Sequence, residues 1–514
     1  MKNCTLTIIR QNTSQTITAE VGESILDILA RADHVTLDAP CGGNGTCGKC
    51  RVSLTGEISS PTEHELTLLG DKIKSGIRLA CLTKIEGNAT VTLAAQGETV
   101  IQTEGERSAS DFTPLPGPFG LAVDIGTTTV ACYLCDLRNT GNKRIAAVRS
   151  FMNPQKKFGA DVISRIGHVI ENEAAAEELR AAITDSINEA LLSLTAEVGI
   201  TPGDIGSAAI TGNTVMQHFF CGDDARGIAN APFTPSSLYG YTVSAASAGI
   251  HISPAAEIYM PPCFAAYVGG DIASGIIASG VDLSDGLELF IDIGTNGEMG
   301  LGNRDAVCLC ATAAGPAFEG AHIAHGMAGI EGAINTVTLD DNGGISYSTI
   351  GDVPPKGICG SGLIDAVACM LELEVLDETG YLEDDFILDE ESGVCITDKD
   401  IRELQLAKAS VCAGVLTLLA ECGKTFEDVT RVVIAGGFGA HINAHNACRI
   451  GLIPPELEDK IVIAGNTAGM GAVSILESAS ARERTAALPA KSRYLELSCN
   501  ATFMEHYVEQ MMFE

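Results

Sequence analysis

Two things are missing from this 514-residue chain and a third is scarce. No apolar run reaches the roughly eighteen residues that a membrane-spanning helix needs. The opening residues, MKNCTLTIIRQ, hold no signal-peptide apolar region and run straight into a strand-like pattern. A cytoplasmic location without a membrane partner is therefore expected. Positive charge is scarce: 32 Lys and Arg stand against 66 Asp and Glu, a net charge of −34. Phosphate backbones are held by basic patches, so no nucleic-acid partner is expected. Beyond that, an acidic surface speaks mainly to solubility.

What is present is length, apolar content and sulfur. The chain is too long for one hydrophobic core, and about two to four domains are expected. Hydrophobic residues make up 46% and charged ones 19%, the balance of a soluble protein with large cores. Its 18 cysteines, with no secretory features beside them, point to thiols or metal ligands rather than disulfides. Cys221, Cys263, Cys369, Cys412 and Cys422 lie in apolar surroundings, where cysteine acts as a small hydrophobe.

Cys41–Cys50 is different. It reads CGGNGTCGKC, and Cys81 follows in RLACLT. Thiolates at this density on a glycine-rich loop suit iron–sulfur ligation, because the loop must turn its amides inward and glycine allows the positive φ this takes. Thr5–Ile9 and Thr16–Val21 read as a hairpin, Ile25–Leu29 as a short helix, Lys49–Leu54 as a strand, Pro61-Thr62-Glu63 as a helix start and Ala89–Leu93 as a last strand. This order resembles the 2Fe-2S ferredoxins, which implies a β-grasp ferredoxin-like domain over residues 1–94 with Cys41, Cys47, Cys50 and Cys81 as cluster ligands. The spacing C-x5-C-x2-C-x30-C has one residue more in its first gap than the plant-type pattern. A zinc site is the alternative, but zinc ribbons pair two C-x2-C knuckles and only Cys47/Cys50 makes one here.

Residues 95–120 lose apolar periodicity and gain Pro, Gly, Ser and Glu, the composition of a linker that would let the first domain swing. A new fold begins at Leu121. An apolar strand runs into Asp124-Ile125-Gly126-Thr127-Thr128-Thr129, a helix is expected near Ala174–Val198, and a strand at Ser207–Ile210. A small-residue helix is expected at 264–280. The first motif then recurs as Asp292-Ile293-Gly294-Thr295-Asn296-Gly297, again closing an apolar strand, so a fold-sized unit is duplicated. Val432–Ala435 leads into Gly436-Gly437-Phe438-Gly439, and Ile461–Ala464 into a second small-residue helix at 466–476.

A strand–Asp–x–Gly–Thr turn gathers backbone N–H groups and Thr hydroxyls around an anion and keeps a carboxylate near enough to hold Mg2+. Two facing copies plus a GGFG turn make an ATP clamp. Here the chain resembles the ASKHA superfamily over about residues 120–480. The resemblance implies an α/β multidomain protein whose second part is two RNase H-like lobes, 121–288 with a middle subdomain and 289–514 with a C-terminal tail. It implies that Asp124 and Asp292 organise Mg2+ and the attacking water. Gly126, Thr127, Thr128, Thr129, Gly294, Thr295, Asn296 and Gly297 would hold phosphates, and Gly436, Gly437 and Gly439 the adenosine. Asp124 has a second reading, as a turn-forming residue in a degenerate lobe.

The cysteine domain, DIGTNGE and the segments TAAGPAFEGA, GICGSGLIDAVA and GGFGAHINAHNACRIGLIP together resemble the reductive activators of corrinoid-dependent methyltransferases. That resemblance implies an ATP-dependent iron–sulfur redox activator, in which an electron passes through the 2Fe-2S cluster to convert a corrinoid protein's Co(II) to Co(I). It also implies an upstream low-potential electron donor and a homodimer. Rival readings are an activator of 2-hydroxyacyl-CoA dehydratases, a redox-sensing nucleotide-gated binding protein, and a plain kinase that leaves residues 1–94 unexplained. Other pairs promise less. Cys132 and Cys135 fall on opposite faces of a strand, Cys308 and Cys310 share a face suited to core packing, and Cys359 suits tight packing at a helix start. His441 and His445 are spaced to share a helix face near the GGFG turn.

Overall fold

The structure, a computed structural model, describes residues 3–10, 13–32, 50–93, 111–141, 144–172, 174–340 and 343–513, with Leu37, Gly43, Gly45, Gly48 and Gly105. It divides into two units, Met1–Glu98 with Gln155–His168, and Thr99–Pro154 with Val169–Glu514.

In the first unit, β1 (Asn3–Arg10) and β2 (Thr13–Glu20) form the expected hairpin, in register from Asn3↔Glu20 to Arg10↔Thr13. α1 (Ile25–Leu29) begins where the Ser24 hydroxyl accepts the Asp27 N–H at 3.1 Å. Then come β3 (Arg51–Ile58), α2 (Glu63–Leu69), β4 (Ile77–Leu79) and β5 (Ile85–Leu93). The sheet order is β2-β1-β5-β3-β4, with β1 and β5 parallel and the other pairs antiparallel, a β-grasp arrangement. Leu6, Ile8 and Val91 share one core with Ile25, Ile28 and Leu29 of α1.

In the second unit two lobes repeat one plan. β6 (Phe119–Ile125), β7 (Thr129–Asp136) and β8 (Ile145–Met152) meander antiparallel; next in the chain comes α3 (Val162–Glu171), most of which falls in the first unit, and then α4 (Ala175–Val198). β9 (Ile205–Gly212) joins parallel to β6, and α5 (Thr214–Cys221), β10 (Tyr241–Ser244), α6 (Ala245–Ala248), β11 (Glu257–Met260) and α7 (Gly270–Ser279) complete the lobe. β12 (Leu287–Ile293), β13 (Gly297–Gly302) and β14 (Val307–Thr312) repeat the meander. β15 (Ala333–Leu339), β16 (Ile345–Thr349), β17 (Gly357–Ile358), α8 (Gly360–Glu372), β18 (Phe386–Asp389), β19 (Val394–Ile396) and α9 (Asp398–Glu421) follow. β20 (Val429–Ala435) then joins parallel to β12, with α10 (Ala444–Arg449), β21 (Ile461–Gly465) and α11 (Thr467–Glu477) after it. The sheets run β10-β11-β9-β6-β7-β8 and β21-β20-β12-β13-β14-β22, where β22 is Ser492–Tyr494, the same meander-plus-parallel core twice.

The lobes exchange helices. α7, leaving the first lobe, packs Ile272, Ile276 and Ile277 with Phe290 and Val433 of the second sheet. α11, from the second lobe, packs Met470, Val473 and Leu476 with Ala122 and Tyr133 of the first. The two cross so closely that a Cβ on Gly471 would lie 2.0 Å from the Ser274 carbonyl oxygen, and one on Gly275 would lie 3.0 Å from the Thr467 hydroxyl of α11. Small residues are therefore a geometric requirement of the crossing, and this is the reason for the small-residue runs seen in the sequence.

Several boundaries differ from expectation. α7 starts at Gly270 rather than 264, because Ala265 and Val268 form an isolated β-bridge ahead of it. β6 begins at Phe119 and β12 at Leu287, each ahead of the domain boundaries read from the sequence. Most of the linker, 95–104 and 106–110, lies outside the described residues. Its end is docked: the Thr113 and Leu115 N–H groups donate to the Glu477 and Leu476 carbonyls, each at 2.9 Å, and Asp111 accepts from Ser478 and Ser480. The expected C-terminal tail is structure: α12 (Ala479–Lys491), β22 (Ser492–Tyr494) paired to β14, and α13 (Ala501–Glu509) on α9. There Lys408 of α9, fully buried, donates to the carbonyls of Gln510 and Met512. α9 is also long and apolar enough to cross a bilayer by length and composition, but it is largely buried in the second-lobe core with Met299 and Leu301 of β13.

Gly471→Val should break the helix crossing. With no room beside Ser274, the variant is expected to lose about 1–3 kcal/mol or more, read as a lower urea midpoint of the far-ultraviolet circular dichroism signal.

Candidate iron–sulfur loop and nucleotide cleft

Cys50 and Cys81 come together, their sulfurs 3.2 Å apart and hydrogen-bonded. That bond holds the Cys50 thiol well below its ordinary pKa against the upward push of burial. Gly43, Gly45 and Gly48 have φ of +88°, +76° and +63°, and a Cβ on Gly45 would strike Leu82 at 2.9 Å. The loop carbonyls are held from outside: the His64 ring lies 2.9 Å from the Gly45 oxygen, and Arg51 Nε donates to the Gly48 oxygen at 2.9 Å. Cys41 and Cys47 lie outside the described residues. A thiol closing a glycine loop with residues in the left-handed region, its charged form favoured, and a second thiol converging on it from RLACLT fit an iron–sulfur cluster.

The approach to Cys81 is fixed by a feature the sequence reading did not find. Glu65 and Arg78 are 0% and 4% exposed. Arg78 donates Nε and Nη2 to the two Glu65 oxygens at 3.0 and 2.9 Å and Nη1 to the Ser59 carbonyl at 2.8 Å. The Leu79 N–H and Thr83 hydroxyl also donate to Glu65. Burial opposes ionisation of Glu65, but the Arg78 fork and the N–H groups of Thr62 and Leu79 outweigh it and lower its pKa. Only the capping box, Thr62 with Glu65, was visible as a pattern, since Arg78 is distant in sequence.

In the second unit, Asp124 and Asp292 end β6 and β12. Each following loop is a tight turn, closed by Gly126 N–H to Thr129 carbonyl and by Gly294 N–H to Asn296 carbonyl, both at 2.9 Å. Asn153 braces the first loop, donating Nδ2 to the Gly126 oxygen at 2.7 Å, and Asn213 donates to the Thr127 hydroxyl at 2.9 Å. Asn296 Nδ2 donates to Glu298 at 3.3 Å, and the Gly297 carbonyl accepts from Thr312. Glu319 joins the two loops: Thr128 Oγ1 donates to one of its oxygens at 3.2 Å and Thr295 Oγ1 to the other at 2.8 Å. GPAFEG was visible in the sequence, but not that its carboxylate reaches both threonines.

Gly436, φ +95°, lies against Asp292, where a Cβ would come within 2.5 Å of Oδ1. A Cβ on Gly437 would meet nothing within 4 Å. Gly439 opens a short 3-10 turn, and the Phe438 ring stacks on Phe318 at 4.9 Å, coupling the GGFG turn to the segment that carries Glu319. His441 is in that turn and His445 on α10, so they do not share a helix face; His445 pairs instead with Glu458 at 2.9 Å. Asp365 of GSGLIDAV accepts from Asn446 of INAHNA at 2.7 Å, tying those two segments together.

The cleft is crowded with carboxylates. Burial, then the charge of Asp292, pushes Asp124 up to about 7 although Asn466 Nδ2 donates to it at 3.1 Å. That bond comes from the cap of α11 and not from Asp124's own turn. Burial raises Asp292 to about 6. Asp271, in the first turn of α7, and Glu298, on β13, were not foreseen; burial and then neighbouring carboxylates raise both. Their signal would have been acids at the start of the small-residue helix and just after DIGTNG. Among the described residues no three His, Cys, Asp or Glu side chains converge closely enough to hold a metal by themselves. Mg2+ here would need phosphate oxygens and water to complete its shell.

Glu65→Ala should leave a buried cation and remove about 3–5 kcal/mol from the cysteine domain, seen as bleaching of the cluster's visible absorbance at lower temperature. Because its folded pKa is depressed, Glu65's contribution is fully present above about pH 4.3 and is lost as the pH falls through the folded value. Asp271 has the opposite sign: with its folded pKa raised, its penalty grows as pH rises above the ordinary carboxylate range. Asp271→Asn should therefore raise the thermal midpoint, without added nucleotide, more at about pH 8 than at about pH 5.5.

Three family models match in order: "2Fe-2S iron-sulfur cluster binding domain" over residues 8–86, "RACo middle region" over 119–284, and "C-terminal domain of RACo the ASKHA domain" over 286–514. The corrinoid activation enzyme RamQ of Eubacterium limosum is 32% identical over 422 residues, covering 77% of this chain and 70% of the relative. The [Co(II) methylated amine-specific corrinoid protein] reductase of Methanosarcina barkeri is 26% identical over 382 residues, covering 68% of each. The solved structure of a reductive activator for corrinoid,iron-sulfur protein is 32% identical, with a TM-score of 0.70 over 99% of this chain and 98% of that one. With its ferredoxin-type and ASKHA domains in this order, the chain belongs to the family of reductive activators of corrinoid proteins.

Proposed function

We propose that this chain uses lobe closure on Mg-ATP to drive the return of a corrinoid protein from inactive Co(II) to Co(I). The observation that carries the nucleotide part is the meeting of Thr128 and Thr295, from duplicated loops, on the one carboxylate of Glu319. Cys41, Cys47, Cys50 and Cys81 would hold the 2Fe-2S cluster, which when bound supplies single low-potential electrons.

The chain's own groups do the rest. The hydroxyls of Thr127, Thr128, Thr129 and Thr295 and the Asn296 amide hold phosphates, while Gly126, Gly294 and Gly297 give the two loops their tight turns. Phosphate oxygens compete with Glu319 for the two threonine hydroxyls, so nucleotide replaces one bridge between the lobes by another. Gly436, Gly437 and Gly439 admit the adenosine. Asp124 and Asp292 would hold Mg2+ with the phosphates and orient water, and a divalent cation beside them would favour the charged forms that burial resists.

For a one-electron step, each 59 mV of adverse potential is about a tenfold cost in equilibrium. Nucleotide offsets it only if its two states bind the partner's states differently. α11 is suited to convey that difference. Its cap, Asn466, touches Asp124 at the cleft, the preceding Gly465 bridges to Gly105, and its far end holds residues 111–115 of the linker to the cysteine domain.

The test is anaerobic and single-turnover. Reduced protein, Mg-ATP and a candidate Co(II) corrinoid protein should yield the Co(I) absorbance. Asp292→Asn should slow its appearance about a hundredfold or more, with the cluster spectrum unchanged. Reduction that runs equally fast without nucleotide overturns the proposal.

A further inference from the structure

An anion of the protein's own already stands where the two Asp-loop threonines converge. Thr128 lies in the loop after β6 and Thr295 in the loop after β12. Their hydroxyls donate to the two oxygens of Glu319, at 3.2 and 2.8 Å. A carboxylate and a phosphoryl group each present anionic acceptor oxygens side by side on one atom, so either suits this pair of donors. They cannot share it. Each would lose its donors, and two like charges would be set against each other.

The turn that carries Glu319 is open on one side and gripped on the other. Pro316–Glu319 is a single 3-10 turn between Gly315 and Gly320, whose φ are +79° and +77°. A Cβ on Gly315 would meet nothing within 4 Å, whereas one on Gly320 would lie 2.4 Å from the Met327 nitrogen. The Gly320 and Ala321 N–H groups close the turn on the Ala317 and Pro316 carbonyls at 2.9 and 3.1 Å. Beyond it, the Ala324 N–H donates to Asp400, in the first turn of α9, at 2.7 Å. Phe318, 2% exposed, stacks on Phe438 of the GGFG turn. Its carbonyl oxygen would lie 2.1 Å from a Cβ on Gly360, the first residue of α8. A shift at Glu319 is therefore felt at the GGFG turn and at the start of α8.

We propose that Glu319 is a terminal-phosphate sensor. It bridges the threonines until the last phosphoryl group of a nucleoside triphosphate displaces it, and a diphosphate leaves it in place. The proposal rests on the nucleotide reading above and adds to it the residue that tells the two nucleotide states apart. Part of the terminal phosphate's binding free energy goes into breaking the two threonine bonds and moving the Pro316–Glu319 turn. The conformational response then follows the third phosphoryl group and is absent with two, which is the difference between states that coupling to a partner requires.

The test uses the full-length, cluster-loaded protein held anaerobically, with Mg-ADP and the Mg2+ complex of the non-hydrolysable imido analogue of ATP as probes. Affinity is measured by calorimetry and backbone hydrogen exchange by mass spectrometry. In the wild-type protein the analogue should speed exchange of the Gly320 and Ala321 amides several-fold, and Mg-ADP should leave it unchanged. Glu319→Ala should exchange fast there without nucleotide. It should bind the analogue about tenfold more tightly, since two hydrogen bonds no longer have to be broken, and change its affinity for Mg-ADP by less than about threefold. Glu319→Gln, which keeps the shape and one acceptor oxygen, should fall between. Equal exchange with both nucleotides in the wild-type protein, or no gain in analogue affinity in either variant, overturns the sensor while nucleotide binding stands. A wild-type protein that binds neither nucleotide overturns the nucleotide reading, and the sensor with it.

Discussion

The crossing of α7 and α11 is the contact on which the second unit depends. At Gly471 one helix meets the carbonyl of Ser274 with no side chain between them. Each helix belongs by sequence to one lobe and packs on the sheet of the other. The lobes therefore cannot separate without pulling each helix from its host sheet, but they can turn about the crossing. Both helix starts face the cleft chemistry: Asp271 opens α7, and Asn466 caps α11 with its amide on Asp124.

The molecule buries carboxylates in two ways, with opposite results. Glu65 is given a bidentate cation and further N–H and O–H donors, so it stays ionised and clamps its surroundings. Asp124, Asp271, Asp292 and Glu298 have one another for neighbours, and their charged forms are resisted. The first arrangement serves stability; the second gathers carboxylates whose joint ionisation costs free energy, the setting in which functional groups with raised pKa values are found.

How much was legible from sequence follows the range of each interaction. The two Asp loops, the GGFG turn and the four cysteines are local patterns, and the described members stand at strand ends and loop turns as read. The small-residue helices were legible because a close crossing excludes bulk. Glu319, Arg78 and Asn466 were not, since each acts on residues far away in the chain. Cys308 was read as sharing a face with Cys310, and both lie buried on β14. The C-terminal segment read as a tail because β22 is too short to show a strand period, and the strand it completes is supplied by β14.

The Glu65–Arg78 clamp also governs how the chain enters Cys81. It is built from protein groups alone, and it holds Leu79, two residues before Cys81, by its backbone N–H. The sulfurs of Cys50 and Cys81 meet just beyond that point. Their spacing therefore leans on a carboxylate that touches neither of them.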